Sequence, residues 1–141
     1  MKKKLALISL LFVLLQSCSY LVPEPSIGHK SDNYRFSASI ILINSLCNKY
    51  ESTPLKYLLD NLLMGIKEVK IQGKETIQFA KREALKAKAT GVLDGVKVHA
   101  LIQTVRKNHC VYDFVFISHK IDQFERHKTD YLKLLKTVEI D

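Results

Sequence analysis

The chain has 141 residues, 47% of them hydrophobic, and carries 22 Lys and Arg against 14 Asp and Glu for a formal charge of +8. That length accommodates one compact domain with a core, not two. Lys2, Lys3 and Lys4 supply part of the positive charge; without residues 1–17 the balance is 19 against 14, a mild +5, and the remaining lysines are scattered rather than gathered into a nucleic-acid arm.

The three lysines are followed by an aliphatic run over residues 5–15 and then by Gln16-Ser17-Cys18. A basic start, a short apolar stretch and a small residue at the cut site form the pattern of a secretory signal, and the run is shorter than the roughly 20 apolar residues needed to span a bilayer. The stretch "LLQSC" resembles the lipobox of bacterial lipoproteins, with Leu15 three residues before Cys18 and Ser17 one before it, although Gln16 departs from the small or aliphatic residue usual there. The resemblance implies cleavage before Cys18 and attachment of lipid, palmitate included, to its thiol and new amino terminus. Ser19 after the cysteine implies delivery to the outer membrane of a double-membraned bacterium, on its periplasmic or surface side. A plain secretory signal cut near Ser17 or Ser19 is the alternative.

Residues 19–33 contain Pro23, Pro25 and Gly28 without sustained periodicity, which predicts a tether. A flexible linker of that length spans on the order of 20 Å, so the domain sits close to its anchor. The expected organisation is a signal over 1–17, a lipidated tether over 18–33 and a single domain over 34–141.

Residues 34–46, rich in aromatic and β-branched side chains, predict a strand ending in a loop at Cys47-Asn48. Ser52 or Thr53 can cap a following helix with Pro54 in its first turn. Leu55, Leu58, Leu59, Leu62, Leu63 and Ile66 then fall on one helical face, and Gly65 can end the helix. Such a stripe belongs to a core. Residues 75–90 have helical composition, yet Leu85, Ala87, Ala89, Gly91 and Leu93 alternate with Lys86, Lys88 and Thr90 and run into Asp94-Gly95, a strong hairpin signal. A hairpin over residues 83–106 follows, pairing Leu93 with Val96 and Ala87 with Ile102. A second turn at Lys107-Asn108 leads into a third strand and sets Ile102 opposite Asp113. One face thereby collects small and aliphatic residues, and the other collects Leu101, Val105, Cys110, Tyr112, Phe114 and Phe116. A last amphipathic helix over 121–136 presents Ile121, Phe124, Tyr131, Leu132 and Leu135. Together these predict an α+β fold, an antiparallel β-sheet covered by helices on both faces in an α/β/α sandwich.

At this point the chain resembles small bacterial envelope lipoproteins with a PsbP-like domain. The residues that carry the resemblance are "NSLC" at 44–47, "TPLKYLLDNLLMGI" at 53–66, "LDG" at 93–95, "RKNHCVYDFVF" at 106–116 and the closing "LLKTV" at 134–138, which together span most of residues 34–138. None is a catalytic motif. The resemblance implies the sandwich fold and an envelope location, while its lipoprotein members carry no assigned reaction. PsbP-like proteins elsewhere act as assembly or docking partners, which implies a binding role by fold analogy.

Cys47 and Cys110 remain once Cys18 is lipidated. An even number in an oxidising compartment favours a disulfide, which would close a loop of about 63 residues and restrict the unfolded chain by roughly 4 kcal/mol. Two buried free thiols are the alternative. Asp113 is the chemically odd residue, because its place on an apolar face demands a partner or a raised pKa. It is expected to be a structural carboxylate satisfied by backbone, hydroxyl or an arginine such as Arg82; the sharper reading is a pocket acid. His29, His99, His109, His119 and His127 lack metal-binding spacing, so no metal and no cofactor is expected. His109 and Cys110 are strand neighbours that point to opposite faces, which does not suit a thiol nucleophile. The expectation is therefore a non-enzymatic, lipid-anchored envelope protein, held at the membrane through Cys18, that binds another protein or stabilises an envelope complex. A small-ligand or envelope-polymer binder, with or without hydrolytic activity, with a groove near Asp113, His99 and Tyr112, is the second expectation.

Overall fold

A computed structural model describes the backbone of residues 29–36 and all of residues 38–140. The signal, Cys18 and most of the expected tether lie outside the described residues. The elements run β1 (His29–Phe36), β2 (Ser39–Cys47), α1 (Leu55–Leu63), β3 (Lys67–Phe79), β4 (Arg82–Leu93), β5 (Val96–Lys107), β6 (Cys110–Ser118) and α2 (Ile121–Thr137). All six strands form one antiparallel sheet in the order β1-β2-β6-β5-β4-β3.

Three two-residue turns build the meander from β3 to β6. Ala80-Lys81, Asp94-Gly95 and Asn108-His109 all have positive φ at both positions, the backbone of a type I′ hairpin whose twist matches that of its strands. The Asp94-Gly95 hairpin pairs Leu93 with Val96, Ala89 with Ala100 and Ala87 with Ile102, as expected. The next turn is corrected: Asn108-His109, rather than Lys107-Asn108, reverses the chain, so Lys107 pairs with Cys110 and Thr104, not Ile102, lies opposite Asp113. Asparagine tolerates the left-handed region at the first turn position better than lysine does. The resulting shift is by two residues, so every side chain keeps its expected face.

Two further strands differ from expectation. The strand expected over 34–46 is a hairpin, with β1 ending at Phe36 and β2 starting at Ser39. The sheet thus begins at His29, inside the segment expected to be tether. β3 was not foreseen because nearly all of it is exposed, and an edge strand with few inward apolar residues has little periodicity to read. Its lysines and its two register shifts against β4 also make it a poor template for another strand.

Each face of the sheet has its own core. On the first, α1 lays Leu59, Leu63 and the following Ile66 over Ala87, Ala89, Val98, Ala100, Ile102 and Val115. The small side chains of β4 and β5 allow this close approach. Pro54, rather than Ser52 or Thr53, occupies the N-cap, with no side-chain cap. On the second face α2 packs Phe124, Tyr131 and Leu135 on Ile41, Ala84, Leu101, Val105, Phe114 and Phe116. Phe116 stacks between Phe124 and Tyr131 at centroid distances of 5.1 and 5.4 Å, contacts worth about 0.5–1.5 kcal/mol each beyond their buried area. The Tyr131 hydroxyl donates to the Phe114 carbonyl at 3.2 Å, and burial raises its pKa. The protein is an α+β sandwich with a helix on either side of an antiparallel sheet.

Candidate functional site

Side-chain alternation decides what the sheet can bring together. Asp113 lies on the α1 face in a polar row with its register partners Thr104 on β5 and Asn44 on β2. Burial raises the pKa of its carboxyl, and the nearby Thr104 hydroxyl lowers it by less. Asp113 Oδ1 and the fully buried Thr104 Oγ1 nevertheless have no hydrogen-bond partner. Arg82 is exposed at the start of β4 and is not the carboxylate's partner.

His99 and Tyr112 lie on the opposite, α2 face. The His99 ring is 5.7 Å from that of Phe124, and Tyr112 packs at the margin of the same core. The structure therefore does not join Asp113, His99 and Tyr112 in one groove, because the sheet itself stands between the carboxylate and the two rings. Among the described residues no three His, Cys, Asp or Glu side chains converge as metal ligands. His109 sits exposed in its turn with Nδ1 3.3 Å from Glu51, away from the sulfur of Cys110.

Cys47 is the last residue of β2, not a loop residue, and is the direct register partner of Cys110. Their Cα atoms are 3.9 Å apart and their sulfurs are in bonding contact. Next to this pair Arg106 Nη2 donates to the carbonyls of Tyr50 and Thr53, fastening the β2–α1 connection to β5.

A cleft on the α2 face has no counterpart among the expectations from sequence. α2 leaves the β3–β4 edge uncovered, and a hollow of about 350 Å³ opens there over Leu101 and Leu132, rimmed by Lys86, Lys88 and Lys128. The signal was present in the Lys86–Lys88–Thr90 alternation, but the reach of the helix beyond it is a tertiary property.

A six-stranded antiparallel sheet between two helices, with a cationic cleft at one edge, defines the class of the domain. Among solved structures the chain is similar to PA94 from Pseudomonas aeruginosa, a protein of unknown function and candidate regulator, with a TM-score of 0.69 at 9% identity over 85% of this chain and 89% of that one. It is also similar to LpqN, involved in cell envelope biogenesis of Mycobacterium tuberculosis, with a TM-score of 0.48 at 10% identity over 69% of this chain and 58% of LpqN. The PA94 likeness shows the fold. No family model matches the chain, and no curated protein matches it in sequence.

Proposed function

We propose that this is a lipid-anchored bacterial envelope protein, attached through Cys18, whose PsbP-like domain is a non-enzymatic module that binds another protein or stabilises an envelope complex. The observation that carries the reading is the N-terminal pattern itself, a basic start, eleven largely aliphatic residues and "LLQSC". The directly opposed Cys47 and Cys110 agree with an oxidising compartment. Tyr57 and Met64, 60% and 78% exposed, are seven residues apart and share the outer side of α1, where large apolar side chains suit a protein contact. Ser19 favours the outer membrane as destination.

Cys18→Ala in the native host tests the anchor. The expected product is an unlipidated, largely unprocessed precursor that leaves the membrane fraction. Unchanged processing and membrane partitioning would overturn the reading. For the binding role, cross-linking of the lipidated protein in intact cells should give a discrete adduct that Tyr57→Asp/Met64→Asp abolishes; an adduct indifferent to both changes refutes that surface.

A further inference from the structure

We propose that the cleft between α2 and the β3–β4 edge is a binding site for a single-chain anionic amphiphile, with its phosphate or carboxylate head on Lys86, Lys88 and Lys128 and its acyl chain on Leu101 and Leu132. This goes beyond protein binding and does not depend on the lipid anchor.

The sheet register makes the site. Thr90 pairs with Lys70 and His99, Lys88 with Gly73 and Leu101, and Lys86 with Glu75 and Gln103, so two successive rows on one face present lysines of β4 and the next sets Thr90 beside Lys70 of β3. These rows lie beyond the edge of α2, which contributes Lys128 and Leu132 from the other side. The side chains of Lys86, Lys88 and Lys128 are 29%, 35% and 35% exposed. Their stems therefore cover apolar surface while their ammonium groups stand at the rim. Lys88 Nζ lies 5.3 Å from the Phe124 ring centroid. Leu101 below is only 3% exposed, so the acyl chain rests mainly on the half-buried Leu132 and on the lysine stems above Leu101.

The lysines have carboxylates nearby, but loosely held ones. Lys86 pairs with Glu75 at 2.7 Å, and Lys88 and Lys128 share Glu125 at 3.5 Å each. Three cations thus face two carboxylates that are 60% and 51% exposed, and exposed pairs of this kind are weak enough to exchange for an incoming anion. Lys70 and Lys97, with Glu68 beside them, line an adjoining hollow of about 270 Å³ and leave one net positive charge to add to the field that attracts an anion. Gly73 leaves the wall above Lys88 without a side chain, and a Cβ built there meets nothing within 4 Å. A volume of about 350 Å³ falls in the small-molecule range of roughly 300–1,000 Å³. An apolar floor with a cationic rim matches a ligand that is apolar along its length and anionic at one end.

The test uses the purified full chain with 13C-labelled leucine methyl groups, titrated with octyl phosphate. The methyl resonances of Leu101 and Leu132 should shift saturably. Octyl glucoside, with the same tail but no charge, and inorganic phosphate, with the head but no tail, should each bind about tenfold more weakly or worse. Lys86→Gln/Lys88→Gln should weaken octyl phosphate by a similar factor. Gly73→Leu, whose side chain extends into the open cleft without touching the core, should block it while the protein stays folded. Equal binding of octyl glucoside, equal binding of phosphate alone, or the absence of a shift overturns the proposal. A response confined to phosphatidylglycerol vesicles also overturns it, since the lysines would then read a membrane surface.

Discussion

Gly91→Ala should destabilise the domain by about 1–2 kcal/mol, although glycine to alanine in a strand normally stabilises. A Cβ at Gly91 would lie 2.4 Å from Ile66 Cγ2, 2.6 Å from the Lys67 carbonyl oxygen and 3.5 Å from Val69 Cα. Carbon contacts are comfortable at about 3.5–4.0 Å, so the connection from α1 to β3 must retreat by about 1 Å. Ile66 cannot swing aside, because it is 6% exposed and packed against Leu59 and Leu63. Lys67 O is backbone at the start of a strand whose register shifts immediately afterwards. Overpacking of this kind costs about 1–3 kcal/mol, and the loss of unfolded-state freedom returns about 0.4–1 kcal/mol. With a urea slope of about 2 kcal/mol/M, the midpoint should fall by about 0.5–1 M. Gly73→Ala is the control: its Cβ meets open space, and the midpoint should hold or rise. A Gly91→Ala midpoint at or above that of the wild type would refute the reasoning, since α1 and β3 would then not depend on the missing side chain.

Peptide mapping without reduction should recover Cys47 linked to Cys110, and Cys47→Ser/Cys110→Ser should lower stability by about 2–4 kcal/mol; two alkylatable thiols in freshly isolated protein would reject the bridge. Burial raises the Asp113 carboxyl above its ordinary value, so ionisation opposes folding and weakens the domain as pH rises through the raised value. Asp113→Asn should therefore be the more stable form at neutral pH, with the difference vanishing as pH falls below the carboxyl's ordinary value of 3.8; a less stable Asn variant in neutral-pH denaturation curves would reveal an unrecognised cationic partner. Arg106→Ala should cost about 1.5–3 kcal/mol by releasing the Tyr50 and Thr53 carbonyls and should speed amide exchange over residues 50–58. Unchanged protection there would mean that the guanidinium does not fasten the loop.

What was legible in the sequence is what local chemistry decides. Leu58, Leu59, Leu63 and Ile66 are buried as their spacing requires, and Asp94-Gly95 forces its hairpin. Register became uncertain where two adjacent dipeptides competed for one turn, and Asn108-His109 took it. β3 was invisible because its partners on β4 stabilise it, rather than any stripe of its own. Asp113 stands out in the sequence as a carboxylate on an apolar face, and burial does raise its pKa, whereas its separation from His99 and Tyr112 depends on the sheet between them. The lysine cleft depends on where α2 stops covering β4, a matter of packing across more than 30 residues of chain.

The position of the Cys47–Cys110 pair has a mechanical meaning. His29, where the chain joins the sheet, is the register partner of Leu46, one residue from Cys47. A pull arriving through the N-terminal segment is therefore delivered to the very end of the sheet that the sulfurs hold together. Such a load can strip β1 from β2 one rung at a time, since antiparallel rungs loaded from one end open in sequence. Once β1 is gone the load passes to Ser39, opposite Ser118 at the far end of β2, and can open the β2–β6 rungs in turn until it reaches the covalent stop at the last of them, Cys47–Cys110. With its sulfurs joined, the domain can yield its outer strands as an extensible leash while the chain between Cys47 and Cys110, which holds α1 and β3 to β5, is shielded from the pull.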